Sequence, residues 1–224
     1  MRERLRRAFS RQNKTCSRPG NRKIKSTGQS LVELTLTLPL ILMLFSGLVE
    51  FGFMLNYYLS LLDATRFVAR EYSGGDPFLY DSNGNITGDN TVKFYSPAVN
   101  QVIAQLEPQQ LPTGYFDNTR KIVLDSATDN VIITVFSVDA DGNITDYPPD
   151  GPYEWNPNFQ GNPVVTDAVV QNQLISGAPC EGMVSVEVDY TYHQILNLPW
   201  MAWLGNPILP AYTIMPLQAA EPQC

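Results

Sequence analysis

The sequence predicts an α+β protein in which a long N-terminal transmembrane helix extends into a small extracytoplasmic domain with an antiparallel sheet. Three observations carry that prediction. Leu31 to Leu55 is apolar apart from Glu33, Glu50 and a few small polar residues, and a membrane span needs about 20 mostly apolar residues. Val184, Val186, Val188, Tyr190 and Tyr192 alternate with Ser185, Glu187, Asp189, Thr191 and His193, the period of two expected for a half-buried antiparallel strand. Val131 to Val138 is a β-branched run apolar on both faces, the pattern of a central strand. A chain of 224 residues accommodates the helix and one domain of about 150 residues.

The chain begins with a basic leader. Of its 15 Lys and Arg, ten lie in residues 1–27, where Glu3 is the only acid; from Glu71 onward 18 acids face Lys93, Arg120 and Lys121. The two ends therefore belong in different surroundings. Clustered cations attract phosphates, but a basic stretch flush against a hydrophobic run follows the positive-inside rule and stays cytoplasmic. No nucleic-acid partner is expected. The leader is polar and contains Pro19-Gly20, so it is read as a disordered targeting segment, set apart from the fold.

Within the helix, seventeen residues separate Glu33 from Glu50, or roughly 25 Å at 1.5 Å per residue. Both carboxylates then lie near opposite edges of a bilayer, where an ionisable group is costly and usually functional. Pro39 removes one backbone hydrogen bond near the midpoint and predicts a kink. Ser46 and Gly47 are small enough for close helix approach in lipid. Asn56, Tyr57 and Tyr58 read as an interfacial aromatic girdle. Beyond them, Leu61, Leu62, Thr65, Val68 and Ala69 predict a helix face docked on the domain, ended by Ser73-Gly74-Gly75-Asp76-Pro77.

An ordinary signal anchor with snorkelling Glu residues explains the hydrophobicity and the basic flank. It leaves the junction unexplained. RKIKSTG/QSLVE resembles the processing site of prepilin-like proteins, cut after Gly28 so that Gln29 becomes the first residue and Glu33 the fifth. The continuation, with Val32-Glu33, Pro39, Gly47-Leu48-Val49-Glu50-Phe51-Gly52, Ala64, Arg66, Ala69 and Arg70, resembles the TadE-like domain of tight-adherence (Flp-type) pilus assembly systems. Thr35 and Thr37 depart from that family's small or apolar residues, and the leader is long.

The resemblance implies a membrane prepilin peptidase, other pilin-like subunits and the pilus assembly machinery as partners. Cleavage would place a new α-amine at the membrane edge. Glu33 pairing with that amine on a neighbouring subunit would set the axial stagger, since burying either charge alone is costly. Glu50 has no comparable partner in the sequence; it either faces polar groups of another helix in assembly or marks the outer interface.

In the exported domain, Ser96-Pro97 starts a helix through Leu106. Strands are expected at 120–124, 131–138 and 144–147, the last two joined by the turn Asp139-Ala-Asp-Gly-Asn143. Five prolines between residues 148 and 163 predict a surface loop without regular structure. Val164 to Ile175 reads as a short helix, and Ala211 to Leu217 as the last strand. Leu198-Pro199-Trp200-Met201-Ala202-Trp203-Leu204 is unusually apolar for a loop and is read as a cover over the core rather than an exposed interaction site.

Cys180 and Cys224 fall in the exported part, where oxidation is permitted. A bridge between them would close a loop of about 45 residues and contribute about 4 kcal/mol in the chain-entropy account. The loops Asp81–Asp89 and Asp139–Thr145 alternate oxygen side chains as calcium loops do, but Gly stands fourth rather than sixth and no closing Glu follows. They read as Asx turns, and neither a metal nor a cofactor is expected. His193, the single histidine, shares a strand face with Glu187 and Asp189 without a nucleophile motif; no catalytic residue is expected.

The expected division is a leader at 1–28, a transmembrane and amphipathic helix at 29–72, and an extracytoplasmic domain at 73–224. The function expected is a pseudopilin-like structural or assembly component of a surface pilus acting in cell adhesion. It would be single-pass in the inner membrane, with its N-terminus cytoplasmic, and could enter the fibre. The alternative is an uncleaved, single-pass surface domain with an adhesive or sensory role.

Overall fold

The computed structural model describes residues 27–107, 122–149, 151–159, 161–173 and 180–222. Most of the leader, Arg120, Lys121 and Cys224 lie outside the described residues. Helix α1 runs from Thr27 to Tyr72, with Pro39 inside it. The chain divides into two units between Leu42 and Met43.

The unit ending at Leu42 contains only α1 among its described residues, and every side chain described from Ser30 to Leu42 is exposed. Leu31, Leu34, Leu38 and Ile41 are 48–66% exposed, so apolar groups point outward on all sides. A helix apolar all round requires an apolar environment.

The unit beginning at Met43 has a hydrophobic core. Here α1 has two faces: Glu50, Leu61, Ala64, Val68 and Ala69 are buried with Met54 and Tyr57 packed beside them, while Leu48, Phe51, Leu55 and Leu59 are 45–69% exposed. The buried positions recur at three and four residues, one face of a helix. The helix ends at a turn in which Gly75 N–H donates to Tyr72 O at 2.9 Å.

A small hairpin follows, β1 (Phe78–Tyr80) and β2 (Ile86–Asp89), closed by the Asp81–Asn85 turn. A π-helical turn at Thr91–Tyr95 leads into α2 (Ser96–Leu106), which buries Ala98, Val99, Val102 and Leu106. The strand expected at 120–124 is absent over its described part. Ile122 and Leu124 are buried but irregular, and Ile122 N–H donates to Leu106 O at the end of α2. Their apolar side chains serve packing rather than pairing.

The main sheet comprises β3 (Asn130–Val138), β4 (Ile144–Tyr147), β5 (Tyr153–Glu154), β6 (Glu181–Thr191) and β7 (Ile208–Pro216). Its order is β4-β3-β6-β7, all antiparallel, with β5 also pairing with β3. The Pro-rich stretch thus contains a short strand after all. Two consecutive residues free of proline, Tyr153 and Glu154, are enough for so short a pairing at a sheet edge.

One sheet face, with Val131, Ile133, Val135, Val184, Val186 and Val188, packs with α1 and α2 into a single cluster. Thr65 of α1 and Thr213 of β7 meet across it through their hydroxyls at 3.0 Å. The other face departs from the half-buried strand that alternation predicts, because Ser185, Glu187 and Asp189 are also buried. The segment leading into α3 (Asp167–Gln173) lies over this face: Val165 and Val170 pack with Phe136, Val138 and Met183. Val164 and Val165 N–H donate to Glu187 Oε1 and Oε2 at 2.6 and 3.0 Å. A strand read alone reports its own polarity, not what is laid over it.

Candidate membrane anchor and assembly site

Gly28 and Gln29, the expected processing site, lie in the first turn of α1, with Glu33 one turn on and exposed. Two residues that interrupt the apolar run conceal their polarity locally. Thr35 Oγ1 donates to Leu31 O at 2.7 Å and Thr37 Oγ1 to Glu33 O at 2.9 Å. A hydroxyl that returns to the carbonyl one turn earlier has its donor satisfied without water, as lipid requires. The two threonines that depart from the apolar pattern are therefore compatible with a spanning helix. α1 is long and apolar enough to cross a membrane.

Glu50 has its partners within the chain. It is 2% exposed. Its Oε1 accepts from Tyr192 Oη at 2.7 Å and Ile195 N–H at 2.8 Å, and its Oε2 accepts from Leu196 N–H at 3.0 Å. Charge-assisted hydrogen bonds of this kind are roughly twice as strong as neutral ones. The carboxylate fastens the chain just after β6 to α1. Tyr192 in turn packs edge-on against Tyr57, 5.6 Å between ring centroids, and Tyr57 lies against Tyr190 at 5.8 Å. Tyr57, expected in an interfacial girdle, instead packs against the sheet.

The segment after Glu50's partners differs most from expectation. Pro199–Leu204 forms a three-ten turn, not a cover over the core: Trp203 is 84% exposed and Trp200 41%. Trp200 Nε1 donates to Ser46 Oγ on α1 at 3.3 Å. The core nearby is already closed by the tyrosines at 57, 190 and 192, so the two indoles are not needed to fill it.

Cys180 is disulfide-bonded; Cys224, the partner expected for it, lies outside the described residues. The two Asp/Asn turns share one arrangement. Asp81 Oδ1 accepts from Asn83 and Asn85 N–H while Asn85 Nδ2 donates to Oδ2, and Asp139 does the same with Asp141 and Asn143. These donors hold both carboxyls below the usual range. The carboxylates are engaged by their own turns.

His193 is exposed just beyond β6, whereas Glu187 and Asp189 are buried. The face they share in the sequence is therefore split by the fold. Burial, with Glu187 and Glu154 nearby, pushes the Asp189 carboxyl up to about 7, and burial raises Glu187 despite its two backbone donors.

Glu50's role as an internal clamp has no signal in the sequence, because nothing local pairs residue 50 with residues 192–196. The family model described as TadE-like protein matches residues 28–70. No curated protein and no solved structure gives a match.

Proposed function

We propose, from the TadE-like segment at residues 28–70, that this chain is a pseudopilin-like structural component in assembly of a tight-adherence (Flp-type) pilus. In this reading the leader is cytoplasmic, a membrane prepilin peptidase cuts between Gly28 and Gln29, and the acidic domain stands outside the membrane. The protein acts by binding and stacking rather than by catalysis. One observation carries the reading: the family match begins at Gly28, the residue at which the basic leader meets the helix.

The physical logic concerns two charges. Cleavage creates an α-amine on Gln29, and Glu33 lies four residues on, exposed on α1. The amine of one subunit paired with Glu33 of the next fixes the stagger of adjacent helices, because either charge alone in lipid is costly. The apolar side chains exposed around Leu31–Leu42 suit both lipid and neighbouring helices.

N-terminal sequencing of the protein from its native host tests the first step. Gln29 at the start is the expected result; an intact leader would instead favour an uncleaved anchored surface domain. Glu33→Ala is expected to abolish co-purification with other pilin-like subunits while leaving membrane insertion intact. Unchanged co-purification would remove the registry role.

A further inference from the structure

From Gln194 to Ala220 the chain contains no Asp, Glu, Lys, Arg or His, although 18 acids are spread over the sequence from Glu71 to the C-terminus. Within this uncharged stretch, the Pro199–Leu204 turn holds out Trp203, 84% exposed, with Trp200 at 41% and Ile195 at 47%. The turn is braced. Gln194 Nε2 donates to Met201 O and Gly205 O, both at 3.0 Å, and Met201 N–H donates to Leu198 O at 2.9 Å. Gly205 ends it at φ 62°, a left-handed conformation that glycine adopts without strain. An indole held in solvent by a braced turn is placed for a partner.

The turn's attachment identifies that partner. Trp200 is bonded to Ser46 of α1, and the exposed side chains around Ser46 on that helix are apolar: Phe45 64%, Leu48 69%, Phe51 58%. A hydrocarbon layer of about 30 Å takes up ~20 helical residues. Counted along α1 from Leu31, it ends near Phe51. The turn is thus fastened to the helix slightly below the outer edge of the layer, at the depth where tryptophan partitions with its ring in the apolar zone and its N–H toward polar groups. The absence of charge from Gln194 to Ala220 removes the repulsion and desolvation cost that the rest of this acidic domain would meet there.

We propose that the Pro199–Leu204 turn is a second membrane foot, with Trp203 and Trp200 seated in the outer headgroup–hydrocarbon interface of the bilayer that α1 crosses. The proposal rests on α1 being a membrane span. With the foot seated, the domain resists tilting away from the bilayer surface, so the face it offers to neighbouring subunits is set before assembly.

The test uses the full chain in nanodiscs of phosphatidylcholine, either unmodified or brominated high on the acyl chains. Subtracting the fluorescence of Trp203→Phe from that of the unaltered protein isolates Trp203; the site is exposed, so this exchange leaves the fold intact. The expected result is a drop of about two-fold or more in the Trp203 signal with brominated lipid, and weak quenching by aqueous iodide. A Trp203 signal indifferent to bromine and quenched by iodide would overturn the foot. Shielding that appears only when other assembly components are added would overturn it too, assigning the surface to a protein. Alkaline carbonate extraction of native membranes separates the premise: release into the supernatant defeats the spanning helix and the foot together. Retention combined with no bromine quenching defeats the foot alone.

Discussion

Among single residues, Glu50 converts an apparent liability in an apolar helix into a fixed point. Its three hydrogen bonds come from Tyr192, Ile195 and Leu196, all more than 140 positions away in sequence. Removing the acceptor leaves two backbone N–H groups without partners, which costs more than the net worth of the bonds. Glu50→Ala is therefore expected to destabilise the unit that begins at Met43 by about 3–5 kcal/mol, as unpaired donors cost about 1–3 kcal/mol each. Glu50→Gln keeps the size but turns an NH₂ toward one donor, for about 1–3 kcal/mol, and Tyr192→Phe, which loses one bond, about 1 kcal/mol. Denaturant unfolding of the detergent-solubilised chain checks the order; equal losses for all three would dismiss the clamp. Glu33 and Glu50 are both carboxylates set in an apolar run, yet one is exposed and the other enclosed. That difference depends on what the chain brings to each, and so could not be read from the helix.

Among the elements, β6 bears the fold. It pairs with β3 over nine positions and with β7 over nine, and its first residues lie against the C-terminal segment. Gly182, just before the core valines of β6, is pressed by that segment: a Cβ there would meet Leu217 O at 2.3 Å, the Ala220 carbonyl carbon at 2.5 Å and Glu221 N at 2.6 Å. All three are backbone atoms and cannot swing aside. Gly182→Ala is expected to displace Leu217–Glu221 and lower stability by about 2–3 kcal/mol, read as an earlier denaturation midpoint. A midpoint unchanged from the unaltered protein would show that the segment yields freely. The alternation from Val184 to Tyr192 made β6 legible, and the two-sided apolarity of Val131–Val138 marked β3 as central. Over its described residues, 122–124, the strand expected at 120–124 did not form, because β-branched residues suit any buried surface, paired or not. The covering of Glu187 was illegible because the residues that do it, Val164 and Val165, follow directly on a Pro-rich stretch whose sequence signals only a loop.

For the whole molecule, the acidic domain carries buried carboxyls whose protonation opposes the usual trend. Asp189 is pushed up to about 7, and burial also raises Glu187. Asp189 Oδ2 lacks a hydrogen-bond partner among the described residues, so its charged form gains nothing from burial. A carboxyl with a raised folded-state pKa keeps its proton longer in the folded chain than in the unfolded one. Folded protein then binds more protons between about pH 4 and 7, and stability falls as pH rises through that window. The full chain in detergent is expected to melt about 5 °C higher near pH 5 than near pH 8. Asp189→Asn should remove most of that difference, and a melting point that rises with pH in both proteins would refute the account.

The apolar anchor, the two central strands and the charge separation between leader and domain were all legible before any fold was known, and so was the basic-to-apolar junction at Gly28 and Gln29. Each is written in local pattern: hydropathy over about 20 residues, periods of two and of three to four, and a run of cations against an apolar helix. Folding in three dimensions was needed to make Glu50 an internal clamp, to bury β6 on both faces and to turn Trp203 outward. Those outcomes depend on which distant segments meet, and a side chain's own chemistry does not reveal what will be folded against it.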